Sequence, residues 1–308
     1  MKTNSIIGIL ALLLGTAATA TAQDNCHEFD RARGECSVGT EAPSTAALVN
    51  AIRTAPAQRL MGTLEYGERV ECYDCVPELF HRIMTDGDAQ VREFGAWWLR
   101  RRHLSVNHLF IELKAILAGT PSAWAGPEDD GGRGYTEPVH RARAAEALGE
   151  FLDPNALAPL TTAAMNDTEP VVRAAAVSAL GRLNHPQGNT VLAAALSDGS
   201  ADVRRAAVMA IPRVNFFREH VALIGTLADD DAQVRRQGAL LLGQFRVADA
   251  VDALAGALRS DEDASVRRSA AWALGRIGTT AARDALNEAM GSERVSMVLD
   301  AVEVALRM

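Results

Sequence analysis

The sequence predicts an all-α chain, folded as a right-handed α-solenoid of two-helix repeats. Three observations carry this. The block at residues 167–181, Asp-Thr-Glu-Pro-Val-Val-Arg-Ala-Ala-Ala-Val-Ser-Ala-Leu-Gly, recurs with its arginine at Arg141, Arg173, Arg204, Arg235 and Arg267, and more loosely at Arg92. Successive spacings from Arg141 are 32, 31, 31 and 32 residues, and a fixed period in that range is the signature of a solenoid. Within each block apolar residues fall on one stripe at 3.6 residues per turn.

Taken in order, residues 1–22 read as a secretory signal peptide. Lys2 supplies the positive start, Ile6 to Leu14 the apolar core, and Ala20-Thr21-Ala22 the cleavage site, giving a mature start at Gln23. The apolar run is shorter than the ~20 residues a membrane span needs, and no other segment supplies one. Cys26 follows Gln23-Asp24-Asn25, which does not suit a lipoprotein. Residues 23–43 contain Gly34, Gly39 and Pro43 and lack apolar periodicity; they read as an irregular, disulfide-tied lead-in.

The solenoid is expected over 44–308. Ser44 is positioned to cap a first helix, 56–70 reads as a second, and Pro77 suits the first turn of a third ending near Thr85. Asp86-Gly87-Asp88 is a turn before helices at 89–102 and 107–118. Residues 119–136 are rich in Gly, Pro and Asp and read as a loop. The spacing from Arg92 to Arg141 is 49 residues, a repeat of 32 with 17 inserted. From 137 the arginine-bearing helices are expected near 138–151, 170–183, 202–214, 233–246 and 265–277. Their partners fall near 155–166, 187–197, 216–228, 247–259 and 279–290. The segment 294–307 keeps the apolar pattern without the arginine, as a terminal cap should.

Numbering each block from its arginine, the preceding residue is Val91, Val172, Val203, Val234 or Val266, and the seventh after is Leu99, Leu148, Leu180, Ile211, Leu242 or Leu274. Small residues at the third and fourth positions allow close helix approach. The arginine projects from the same stripe and needs a partner there. Candidates stand six before it (Asp86, Asp167, Asp198, Asp229, Asp261) and four before it (Asp88, Glu137, Glu169, Asp231, Asp263). The expectation is a structural ladder of Asp167, Arg173, Asp198, Arg204, Asp229, Arg235, Asp261 and Arg267 along the stack.

The blocks Val-Arg-Arg-Ala-Ala at 203–207 and Val-Arg-Arg-Ser-Ala-Ala-Trp-Ala-Leu-Gly-Arg-Ile-Gly at 266–278 resemble the short HEAT-like repeats of phycobilin lyase subunits and deoxyhypusine hydroxylase. The resemblance covers roughly 75–308 and implies the fold; unrelated proteins use the repeat as a scaffold. Deoxyhypusine hydroxylase carries His-Glu pairs as ligands of a di-iron centre, but Ala142 and Arg143 stand where the pair would fall. The only His-Glu here is His27-Glu28, in the lead-in. Neither that activity nor a bilin site is expected, and no cofactor or metal is implied.

Formal net charge is −8, with Lys2 and Lys114 the only lysines; that acidity argues against a nucleic-acid partner. The cysteines are Cys26, Cys36, Cys72 and Cys75. In an exported chain they read as disulfides, with local pairs Cys26–Cys36 and Cys72–Cys75 favoured over a crosswise staple. Cys72-Tyr73-Asp74-Cys75 has redox spacing but no βαβ context, and Val76 replaces the histidine of a haem motif. The histidines, including the His103/His108 pair, occupy unrelated repeat positions and read as ordinary surface groups.

The fifth position after the arginine is off-pattern: Trp97, Glu146, Ser178, Met209, Leu240 and Trp272. It lies away from the core stripe, and an apolar row on one helix layer of a solenoid suits a partner groove. Trp97, Trp124, Met209, Leu240 and Trp272 are therefore the candidate partner-binding residues, with Trp124 in the inserted loop. The expected function is a non-catalytic scaffold binding a protein or peptide, exported to the periplasm or beyond. The alternative is a redox or enzyme-accessory role for Cys72 and Cys75.

Overall fold

A computed structural model of the chain describes residues 44–69, 72–102, 106–124 and 134–308. The signal peptide, the lead-in with Cys26, Cys36 and His27-Glu28, and His103 lie outside the described residues. The rest divides into two compact units, one ending at Cys75 and one starting at Val76; the division falls inside the span read as one solenoid.

The first unit contains α1 (Thr45–Thr54) and α2 (Ala57–Arg69). Ser44 caps α1 by accepting from the Ala47 amide at 3.2 Å, and Leu48, Ile52, Leu60 and Leu64 are buried. Cys72 and Cys75 are joined by a disulfide with Cα atoms 5.4 Å apart.

The second unit is an α-solenoid. From the unit boundary run α3 (Cys75–Thr85), α4 (Ala89–Leu99), α5 (Val106–Leu117), α6 (Pro138–Phe151), α7 (Leu157–Asn166) and α8 (Pro170–Leu183). They are followed by α9 (Gly188–Ala195), α10 (Ala201–Ala210), α11 (His220–Gly225), α12 (Ala232–Phe245), α13 (Val251–Ser260), α14 (Ala264–Ile277), α15 (Thr280–Ser292) and α16 (Ser296–Leu306). Helices α4, α6, α8, α10, α12 and α14 carry the repeat arginine, and α16 is the cap without it. No helix among the described residues is long and apolar enough to cross a membrane.

Local chemistry starts and stops these helices. Asp88, Asp231 and Asp263 accept from the amides of Gln90, Gln233 and Ser265 at 2.9, 2.9 and 2.6 Å, satisfying donors the first turn leaves open. Glu137 and Glu169 hold the same position without a side-chain cap bond, and a proline follows each; proline has no amide to satisfy. Asn184 and Gly278 end α8 and α14 in the left-handed conformation. Expected helix 202–214 is shorter, α10 passing at Ile211-Pro212-Arg213 into a 3-10 turn. Expected helix 216–228 reduces to α11 and a 3-10 turn at Thr226–Ala228.

The valine before the arginine and the aliphatic residue seven after it are buried wherever described, as Val172, Val203, Leu180 and Ile211 show. Close approach is divided between two positions. The third-position glycines face the first helix of their own repeat: a Cβ on Gly95 would meet Ile83, and one on Gly238 would strike Thr226. Approach between repeats belongs to the eighth position. A Cβ on Gly149 would lie 2.9 Å from the Ala179 Cα, on Gly181 3.0 Å from the Ala210 Cα, and on Gly275 2.8 Å from the Ala305 Cα. Gly243 abuts Ala273 in the same way. Each glycine therefore seats the alanine of the next arginine-layer helix directly on backbone.

The arginines form rungs that run forward by one repeat. Arg173 donates through Nε and Nη2 to the two Asp198 oxygens at 2.8 and 2.9 Å, and through Nη1 to its own turn at Asp167 O, 2.9 Å. Arg141–Asp167, Arg204–Asp229 and Arg235–Asp261 repeat the fork. Each aspartate also accepts from the amide two residues on, as Asp198 does from Ser200 at 2.8 Å. At the cap Glu293 replaces the aspartate opposite Arg267, at 2.8 and 3.4 Å. Across the insertion Arg92 reaches Glu146 instead, at 3.2 Å.

These rungs make the stack acid-sensitive. The hydrogen bonds from Arg267 hold the Glu293 carboxyl down at about 2, from an ordinary 4.5; those from Arg173 lower Asp198 likewise. A carboxyl that is a stronger acid folded than unfolded stabilises the fold fully above its unfolded pKa and loses that contribution as pH falls through its folded pKa. The urea midpoint should therefore drop between pH 4.5 and about 2. Glu293→Gln should start lower at neutral pH and fall less steeply; an unchanged slope would exclude this carboxyl as a contributor.

Candidate partner-binding groove

With valine, leucine, arginine and glycine committed to stacking, each arginine-layer helix keeps one face open. Its first and fifth positions lie one turn apart on that face. Among the fifth-position residues Met209 is exposed, and Trp97, Glu146, Ser178, Leu240 and Trp272 are partly so. On α12, α14 and α16 the open face encloses about 680 Å³ between Arg236, Leu240, Arg268, Trp272, Met297, Asp300 and Val304. An adjoining 360 Å³ section at Arg205, Met209, Gln233 and Gln237 shares Arg236 and Ser265 with it. Leu240, Trp272 and Val304 thus line one section, and Met209 continues the apolar row into the adjoining one.

Trp97 is half-buried, and the Arg101 guanidinium lies 4.9 Å from its ring centre. Between it and that row, α4, α6 and α8 line a separate 420 Å³ section. Its charges are matched internally: Arg92 meets Glu146, and Arg182 meets Glu150 at 3.0 Å. Arg143, which stands where a His-Glu pair would fall in deoxyhypusine hydroxylase, donates to the Met84 carbonyl.

Trp124 is not on this face. It meets Phe80 edge-on at 5.1 Å and His108 at 5.0 Å. The Ser122 amide donates to the Gly134 carbonyl at 2.9 Å, closing the loop's base, and the Ser122 hydroxyl donates to buried Glu112 at 2.6 Å. Tyr135 is fully buried, with its hydroxyl 2.9 Å from His81 Nδ1. The described stem of the loop is therefore packed through its aromatic residues. Cys72 and Cys75 are buried as well as bridged. Among the described residues no group of three His, Cys, Asp or Glu side chains is arranged to hold a metal.

Sequence reading missed the first-position arginines. Arg204-Arg205, Arg235-Arg236 and Arg267-Arg268 are doubled, yet the acids at regular offsets serve the first member. The doubling was the available signal. Arg205 finds Asp231 and Asp202, whereas Arg236 and Arg268 are exposed and make no ion pair among the described residues.

The family model for HEAT repeats matches residues 135–212 and 221–307, more than half of the chain. No curated protein matches the sequence. Among solved structures, YibA of E. coli is 14% identical, with TM-score 0.54, over 94% of this chain and 99% of its own. Importin beta is 13% identical, with TM-score 0.58, over 85% of this chain and 41% of its own. Human deoxyhypusine hydroxylase is 24% identical over 85% of this chain and 94% of its own, with TM-score 0.35, too low to bear on activity. At these identities the likeness is one of fold.

Proposed function

The chain belongs to the HEAT-repeat family, and on that premise we propose that it is a non-catalytic scaffold that binds a protein or peptide partner outside the cytoplasm. The observation that carries this is the apolar row of Met209, Leu240 and Trp272. Met209 is exposed and Leu240 and Trp272 are partly so, on the one face that the stacking valine, leucine, arginine and glycine leave open. Solenoids bind along such a face because each repeat adds one contact at a fixed pitch. The groove is shallow and lined by aliphatic, aromatic and guanidinium groups. It brings together no nucleophile with a base and no metal-ligand cluster, which suits recognition and not chemistry. Export is supported by the N-terminal pattern at residues 1–22 and by the cysteine usage.

One experiment addresses both halves. Purified protein and a Leu240→Ala/Trp272→Ala variant are used to capture partners from an envelope extract and from cytosol of the source cells. The expected result is a partner recovered from the envelope extract by the native protein and lost with the variant. Equal recovery by both proteins removes the groove, and recovery from cytosol alone removes the export reading.

A further inference from the structure

We propose that the α10–α16 stretch of the groove recognises an extended peptide carrying a carboxylate at every third residue with an apolar side chain beside it. The inference deepens the scaffold reading and rests on it. The protein is acidic, at −8 overall, and its repeat arginines are each answered by a carboxylate. Against that background Arg236 and Arg268 stand exposed, on adjacent helices and at the same repeat position, without an ion-pair partner among the described residues. Arg276 lies over Trp272 at 5.8 Å and is exposed too. Gln237 shares α12 with Arg236, Ser265 and Ser269 share α14 with Arg268, Asp263 caps α14, and Asp300 of α16 ends the basic row.

The geometry selects the peptide's form. Packed helices lie about 8–10 Å apart, and Arg236 and Arg268 hold the same position on neighbouring helices of one groove, so their helices offer anchors at about that pitch. A polyproline-II chain turns once in three residues and rises about 9 Å per turn. Its residues i and i+3 therefore point the same way at the spacing of the arginines. Residues i+1 and i+4 form a second edge, and the apolar row of Leu240 and Trp272 runs parallel to the arginine row one helical turn away. Charge-assisted bonds from guanidinium to carboxylate fix the register, and the apolar floor distinguishes a peptide from a nucleic-acid backbone.

The test uses a fluorescent twelve-residue probe, four repeats of Asp-Leu-Pro, titrated with the protein at low and at physiological salt. Its controls are four repeats of Lys-Leu-Pro, a rearranged peptide of the same composition with the aspartates paired, and a single-stranded oligodeoxynucleotide of the same length. Binding of the Asp-Leu-Pro probe should exceed that of every control. Arg236→Gln/Arg268→Gln should weaken it by about tenfold or more per arginine with an unchanged melting temperature, since neither side chain has an internal ion-pair partner to lose. Equal binding of the rearranged peptide would overturn the spacing, and tighter binding of the oligodeoxynucleotide would overturn the peptide. Preference for Lys-Leu-Pro, abolished by Leu240→Ala/Trp272→Ala, would overturn the acidic class and leave the scaffold reading standing. Absence of binding by every peptide, beside capture of a protein that depends on Leu240 and Trp272, would do the same. Failure of both experiments would remove both.

Discussion

Replacing Gly181 by valine should destabilise the solenoid by about 3 kcal/mol, the upper end of ordinary overpacking. A Cβ there would lie 2.7 Å from the Ala210 Cβ, 3.0 Å from its Cα and 3.1 Å from its carbonyl oxygen. Two of the three obstacles are backbone atoms, which no rotamer change can clear, so α8 and α10 must separate. The separation would also pull Arg173 from Asp198, which spans the same pair of repeats. The contrast is Gly256→Ala in α13, where an added Cβ meets nothing within 4 Å; there the gain in helix propensity should stabilise by up to about 1 kcal/mol. Urea melts of both variants decide the matter. Equal small effects would show that the eighth-position glycine does not set the spacing between repeats.

Arg235→Ala should destabilise by about 3 kcal/mol, as expected when one partner of a buried pair is removed. The Arg235 and Asp261 side chains are only 9% and 6% exposed. The guanidinium donates to both Asp261 oxygens at 2.8 and 3.0 Å and to the carbonyls of Asp229 and Asp230 at 2.8 and 3.2 Å. Truncation removes the donor from those carbonyls and leaves the Asp261 carboxylate with the Asp263 amide, at 2.9 Å, as its remaining hydrogen-bond partner among the described residues. A double-mutant cycle with Asp261→Ala should show that the two losses are far from additive. Additive losses would mean that the rung contributes through packing of the arginine stem alone.

The repeat itself was legible because it depends on local spacing. Val172, Ala176 and Leu180, like their equivalents, sit four residues apart within one helix, and burial follows from that period. What the period could not show was which repeat each group addresses. Asp198 stands six residues before Arg204 in the chain, yet it binds Arg173 of the preceding repeat side-on and offers Arg204 only its carbonyl. That choice depends on how one repeat is rotated upon the next. The need for glycine at 149, 181, 243 and 275 depends on the same rotation, because it lies in the facing alanine. Where Trp124 sits was not legible because its loop has no period to anchor a position; the packing against Phe80 and His108 and the Ser122–Glu112 bond place it. The groove was half legible: the apolar fifth position departs from the pattern, whereas Arg236 and Arg268 look like members of the ladder until their partners are traced.

Two adjacent residues therefore have opposite roles, Arg235 in the stack and Arg236 in the groove. A thermal-shift experiment with and without saturating Asp-Leu-Pro probe reports both at once, because a ligand that binds only the folded state raises its melting temperature. Arg235→Ala should melt several degrees lower than the native protein and still be stabilised by the probe. Arg236→Ala should melt with the native protein and lose most of the stabilisation. Loss of intrinsic stability in Arg236→Ala, or a normal melt in Arg235→Ala, would contradict this division of labour between stack and groove.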